Sequence, residues 1–246
     1  MTRIVPLLLI AGLWQAASAT GLLPPGVLPS FSAVMRSLFA QVGSGEIFPD
    51  TAASFYRAGF GLSLAVALGT VLGLAMARVP AIQRGVEPIL LSIYPVPKPA
   101  LIPLFMVWLG IGDVSKITVI ALSCMVPIVI SSFNGARAVD NVLIWSARAR
   151  GTPESRLLWR VVLPAALPQI ATGVRTAIAI SLIVMVSSEF ISSEHGLGYL
   201  IFSYGGVGAD DAMLAVVLYL TTIGFLIDRL YTAGLRRFMA WHDFAR

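Results

Sequence analysis

The chain has 246 residues, of which 57% are hydrophobic and 12% charged, with 17 Lys and Arg against 12 Asp and Glu. Soluble domains carry about a quarter charged residues, so this composition excludes an ordinary water-soluble domain and points to a membrane protein. Cys124 is the single cysteine and so cannot close an intrachain disulfide. The two histidines, His195 and His242, are far apart with no Cys/His ligand spacing, so no metal site is expected.

About 20 helical residues cross a hydrocarbon core, and six apolar runs are long enough to qualify. They are predicted at 4–20, 55–77, 86–109, 115–134, 171–191 and 212–235. In the first, Arg3 precedes IVPLLLIAGLW and Ala17-Ser18-Ala19, which also has the form of a signal peptide with a small-residue cleavage site. A retained first helix is the expectation, and cleavage would not reorient the other five. The second run holds Gly69 and Gly73, a G-x-x-x-G spacing that predicts close helix contact.

The third run is interrupted by Pro95, Pro97, Pro99 and Pro103, with Lys98 between two of them. A broken helix at membrane depth is tolerable only against protein or a water-filled cavity. An intramembrane lysine costs about 2.5–3.5 kcal/mol at a helix centre on insertion scales, so a functional role is its default reading. Lys98 is therefore a candidate lining for the passage of an anion; snorkelling to an interface is the plain alternative. The fourth run contains Cys124, read as a small packing residue.

Residues 135–170 follow, dense in helix punctuation. Asp140-Asn141 can cap a short helix through VLIWSARAR, which Gly151 would end in the left-handed conformation. Thr152 is the predicted next N-cap, with Pro153 at the first helical position and Glu154 in the first turn. This second helix, ESRLLWRVVL, is expected to stop near Pro164. Leu157, Leu158, Val161 and Val162 make its packing side; Arg148, Arg150, Arg156 and Arg160 are expected to face outward. A solvated basic loop accounts for the arginines alone, whereas a surface shaped for a partner also accounts for the hinge, the cap and the prolines.

In the fifth run, Arg175 is explained by snorkelling at one end. Glu189, at the other end, can pair with Lys98, face an outer vestibule or sit as an interfacial carboxylate. Gly196-Leu197-Gly198-Tyr199 beyond it permits a tight re-entrant turn or a plain one.

Lys and Arg counts in short loops set orientation. The links 78–87 and 135–168 and the tail after 228, with Arg229, Arg236, Arg237 and Arg246, share one side with Arg3. Arg36, Lys116 and Arg57 fall on the other, with Glu46, Asp50, Asp113, Glu194, Asp210 and Asp211. Both termini and the 135–168 segment are thus expected to be cytoplasmic. The basic excess is then a topology signal, and no nucleic-acid partner is implied.

The 145–164 stretch resembles the EAA loop of ATP-binding-cassette (ABC) importer permeases. Gly151 takes the glycine of that pattern, Val161 its aliphatic position, Leu163-Pro164 its end and Ala147 its second alanine. Trp145 stands at the glutamate position and Ser146 at the first alanine, so the family's acidic contact to the ATPase is missing, and Arg148, Arg150 or Glu154 is the candidate to contact the partner instead. YPVPKPALIPLFMVWLGIGDVSKI (94–117), LPAALPQIATGVR (163–175), SSEFISSEHGLGYLI (187–201) and RRFMAWH (236–242) resemble the nitrate, sulfonate and taurine-type permeases.

The resemblance implies an all-α membrane protein with the type I ABC importer permease fold: six transmembrane helices in a single domain, with a cytoplasmic coupling helix. It implies the bacterial cytoplasmic membrane as location, a second copy of the chain as partner, two cytoplasmic ATPase subunits and an extracytoplasmic binding protein. A small, anionic solute would be carried. No G-x-x-x-x-G-K-[ST] phosphate loop occurs, so no cofactor is expected on this chain; ATP and Mg would sit on the ATPase, and the chain is expected not to be an enzyme.

An ion-coupled secondary transporter would also use broken helices, but it calls for an inverted repeat that the two halves do not show. An intramembrane serine peptidase lacks its G-x-S-x-G elbow. A passive channel leaves the hinged insert without a purpose.

Overall fold

The computed structural model describes residues 5–20 and 28–239, so Arg3, residue 4, His242, Arg246 and the end of RRFMAWH lie outside the described residues. Every regular element described is helical. The order is α1 (Val5–Ala19), α2 (Phe31–Ser44), α3 (Ile47–Arg78), α4 (Pro80–Ile93), a 3-10 turn (Lys98–Leu101), α5 (Ile102–Leu109) and α6 (Asp113–Arg137). Then come α7 (Asn141–Ala149), α8 (Glu154–Leu157), a π turn (Leu158–Val162), α9 (Leu163–Ile191), α10 (Leu197–Gly206) and α11 (Asp210–Phe238).

Four continuous helices are long and apolar enough to cross a bilayer: Ile47–Arg78, Asp113–Arg137, Leu158–Ile191 and Asp210–Phe238. The proline-rich third run is a bent pair, Pro80–Ile93 with Lys98–Leu109, turning through 95°. Prolines lack the amide that would carry an α-helix across the break. Among the described residues, the first predicted run is helical over Val5–Ala19. Two helices were not anticipated: α2, capped by the Ser30 side chain on the Ala33 amide, and α10.

The chain divides into two compact units, and the divisions fall within α3, α9 and α11. One unit comprises the residues up to Phe55 with Val186–Phe225. Its core is Ile47, Leu197, Ile201 and Val216, which joins the start of α3 to α10 and α11.

The other unit comprises Tyr56–Met185 and the residues from Leu226 on. Here α6 is held at backbone contact by two helices, α3 and α9. Gly61, Ala65, Gly69 and Gly73 recur every four residues on α3, one stripe of a helix. A Cβ at Gly61 would lie 2.7 Å from the Ile120 Cγ2, and one at Gly73 would lie 2.5 Å from the Val129 carbonyl oxygen. A Cβ at Gly173 of α9 would lie 2.5 Å from Ser131 Cβ. Cys124 is fully buried and donates its thiol to the Ala177 carbonyl at 3.3 Å, the packing role expected of it. Between membrane helices there is little hydrophobic drive, so such close contact of small residues is what holds the helices together.

Gly73→Ala should therefore cost about 1–3 kcal/mol by overpacking. Gly59→Ala, where an added Cβ meets nothing within 4 Å, is its control. Thermal unfolding in detergent micelles is expected to show a lowered Tm for the first and an unchanged Tm for the second.

Candidate functional site

The basic insert begins where Asp140 accepts the Val142 amide at 2.8 Å, capping α7 as expected. At the far end, the Thr152 amide donates to the Ala147 carbonyl at 3.0 Å and the Gly151 amide to the Arg148 carbonyl at 2.8 Å. This pair of bonds is the Schellman closure, and Gly151 adopts φ +77° to make it. A Cβ there would meet nothing within 4 Å, so the glycine is required by conformation and not by space.

The following helix differs from expectation in two ways. Its N-cap is Pro153 and not Thr152, with the Pro153 carbonyl accepting from Arg156 and Leu157. It also does not stop at Pro164. The Leu163 amide donates to the Leu158 carbonyl, a π turn, and the chain runs on as α9 from Leu163. Widening the turn by one residue lets the helix continue past a ring that would crowd an α turn, so the helix that holds the fifth predicted run already begins at Leu163.

Ile144, Leu157 and Val162 are buried with Leu74, Ala136 and Val139, and Ala147, Leu158, Val161 and Leu163 pack beside them. The arginines at 148, 150, 156 and 160 are exposed, as expected. Exposed with them are Val142, Leu143, Trp145 and Trp159, the two tryptophans at 62% and 58%. Half of this hinged pair is thus anchored, and the other half is an apolar and basic surface. Ser146 is half-buried, and Pro164 is exposed.

Arg148 and Glu154 meet across the hinge, Nε to Oε1 at 2.6 Å. The hydrogen bond from Arg148 holds the Glu154 carboxyl below its ordinary range, and the same bond raises Arg148. Because the carboxyl is lowered, the pair is complete above the ordinary carboxylate range and is lost only as pH falls through the lowered value. An exposed pair adds little stability, but it fixes the two side chains relative to one another. Of the candidates for a partner contact, Arg150 is left outside this bond.

Lys98 lies in the break between α4 and α5, half-buried. Its Nζ donates to the carbonyls of Ile93 at 2.9 Å and Tyr94 at 2.6 Å, and sits 5.9 Å from the Tyr94 ring centroid. The ammonium is therefore a cap on the carbonyl end of α4, where a cation also meets the negative end of the helix dipole. It borders two clefts, of about 370 Å³ and 440 Å³, both also lined by Ser123 and Val126. Tyr94, Thr176 and Ile180 close the second.

Glu189 belongs to the other unit and is 1% exposed. Ser54 Oγ stands 2.9 and 2.8 Å from its two oxygens, and the Gly198 amide donates to Oε2 at 2.9 Å. Two ion pairs escaped the sequence reading. Arg175 does not simply snorkel: its Nε and Nη2 bind both oxygens of Asp228 at 2.6 and 2.8 Å. Arg57 binds Asp113 at 2.6 Å. Partners 53 and 56 residues apart leave no local signal.

Residues 65–239 match the family described as "Binding-protein-dependent transport system inner membrane component". The chain belongs to that family. It is a transport component, and not an enzyme. Among its relatives, the taurine transport system permease protein TauC of Escherichia coli is 33% identical over 234 residues, covering 93% of this chain and 85% of the relative. A Bacillus subtilis protein named for aliphatic sulfonates transport, the permease SsuC, is 31% identical over 240 residues, covering 98% and 87%. In fold, the permease is similar to a chain of the MetNI methionine ABC transporter (TM-score 0.61, 22% identity, 78% of this chain and 93% of that one). A chain of an amino acid ABC transporter gives TM-score 0.64 at 14% identity, covering 83% and 98%. This is the type I ABC importer permease fold expected from the sequence.

Lys98→Met keeps the length of the side chain and deletes its donors. It is expected to lower stability by about 1–3 kcal/mol, because two carbonyls lose a charged donor. Lys98→Arg, which retains donors, should recover most of the loss in the same thermal melt.

Proposed function

We propose that the protein is the membrane-spanning half of an ATP-driven importer, working as a homodimer on two cytoplasmic ATPase subunits. One observation carries the reading: residues 141–164 form two short helices locked by a left-handed glycine, anchored on one face and bare on the other. Trp145, Trp159, Arg150, Arg156 and Arg160 form the bare face. It suits a groove with an apolar floor and an acidic rim. Trp145 supplies by burial what the family's glutamate supplies by charge, while Arg148 and Glu154 shape the hinge. ATP and Mg belong to the ATPase, and an extracytoplasmic binding protein delivers the solute. Both termini and the hinged pair lie in the cytoplasm.

The solute is a small organic anion of the sulfonate class. The names of the two relatives support this, as does the lysine at the proline break. There Lys98 adds positive potential to the clefts it borders, in surroundings where charge counts for more than in water. Specificity rests with the binding protein.

Affinity capture of the full-length chain from membranes should retain an ATPase subunit in equal copy number. Gly151→Val disfavours φ +77° and is expected to leave binding of the ATPase measurable while reducing ATP-coupled uptake at least about tenfold. Wild-type coupling in Gly151→Val would overturn the role of the hinge.

Orientation is tested separately. In a Cys124→Ala background, cysteines placed at Ala149 and Glu194, both exposed, are expected to react with an impermeant maleimide from opposite sides of the membrane. Reaction of both from one side would overturn the topology.

A further inference from the structure

The first turn of α10 is held in an unusual way. A helix begins with amides that have no partner inside it. Here three consecutive ones are each met by a different side chain. The Gly196 amide donates to Asp50 Oδ1 at 2.6 Å, the Leu197 amide to Ser54 Oγ at 2.8 Å, and the Gly198 amide to Glu189 Oε2 at 2.9 Å. Asp50 and Ser54 stand one turn apart on α3, and Glu189 is two residues from the end of α9. Ser54, fully buried, also contacts both Glu189 oxygens, so the three acceptors form one network. His195 Nδ1 lies 3.9 Å from Asp50 at its exposed edge.

The backbone is cut to fit that carboxylate. Gly196 has φ +126°, and a Cβ on it would lie 2.5 Å from the Glu189 carboxylate. A Cβ on Gly198 would lie 2.7 Å from Glu189 Cβ and from the Val186 carbonyl oxygen. Below the turn, Leu197 and Ile201 are buried against Ile47 and Val216. Capping alone needs one polar side chain from the adjoining turn. Three acceptors drawn from two other helices do more, because they tie α10 to both.

We propose that Asp50, Ser54 and Glu189 are positioning residues that lock α10 to the ends of α3 and α9, and that movement of α9 in the transport cycle reaches α10 through this lock. α9 follows directly on the π turn after the hinged pair and carries Glu189 near its far end. The same helix therefore receives the partner's movement and holds α10. This role rests on the importer reading and is separable from it.

The test uses the full transporter, with its ATPase, reconstituted in nanodiscs, and taurine-loaded binding protein as the stimulant. Glu189→Ala is expected to speed hydrogen exchange at Gly198 by about tenfold or more, because its buried amide loses a charged acceptor, and at Leu197 as well, because Ser54 loses the carboxylate that orients it. Assembly and basal ATP hydrolysis should hold, while stimulation by the binding protein falls at least about fivefold. Glu189→Gln keeps an acceptor oxygen and should restore part of both signals. Gly198→Ala, which closes the same space from the other side, should copy Glu189→Ala, and the double variant should be no worse than either alone.

Unchanged stimulation in Glu189→Ala, or exchange at Leu197 and Gly198 equal to wild type, overturns the lock. Parallel loss of basal and stimulated hydrolysis also overturns it, since that marks a general fold anchor. A wild-type transporter that taurine-loaded protein does not stimulate counts against the proposed solute, and the exchange rates then decide the lock by themselves.

Discussion

No backbone amide or carbonyl can be left unpaired away from water, and in a bilayer no water is at hand to help. Four departures from continuous helix among the described residues show how the freed backbone groups are paired. At the proline break, the Lys98 ammonium takes up the Ile93 and Tyr94 carbonyls. At the start of α10, Asp50, Ser54 and Glu189 take up three amides. At Gly151 the backbone closes on itself, and before Pro164 a π turn keeps the helix bonded across a proline. Lys98, Asp50 and Glu189 thus serve as partners for the backbone.

That changes how Lys98 and Glu189 are understood. In the sequence Lys98 reads as a candidate lining for an anion's passage, and Glu189 as its partner, a vestibule residue or an interfacial carboxylate. The structure gives them opposite tasks at opposite kinds of helix end: a cation on the carbonyl end of α4 and an anion on the amide end of α10. Both choices follow the helix dipole. Lys98 borders open clefts, whereas Glu189 is enclosed.

The hinged pair divides its labour in a similar way. Its buried residues come at helical spacing and seat it on Leu74, Ala136 and Val139. Its exposed tryptophans are a poor fit for water and a good fit for a partner, since large aromatic side chains dominate buried contact surfaces.

Much of this was legible in the chain. Apolar run length fixed the membrane class and most of the spans. The G-x-x-x-G stripe on α3, the Asp140 cap and the left-handed Gly151 were readable because each depends on residues a few positions apart. The register around Pro164 was not, since a proline signals a stop and only the packing of Leu157 and Val162 makes continuation worthwhile. Arg175 with Asp228, Arg57 with Asp113 and the Asp50–Ser54–Glu189 network were not readable either. The sequence by itself determined what is local: hydropathy, caps, hinges and helix breaks, all set by neighbours along the chain. The tertiary structure alone decided which distant charges meet and which backbone groups they satisfy, because hydrogen bonds act over about 3 Å and sequence separation carries no record of that distance.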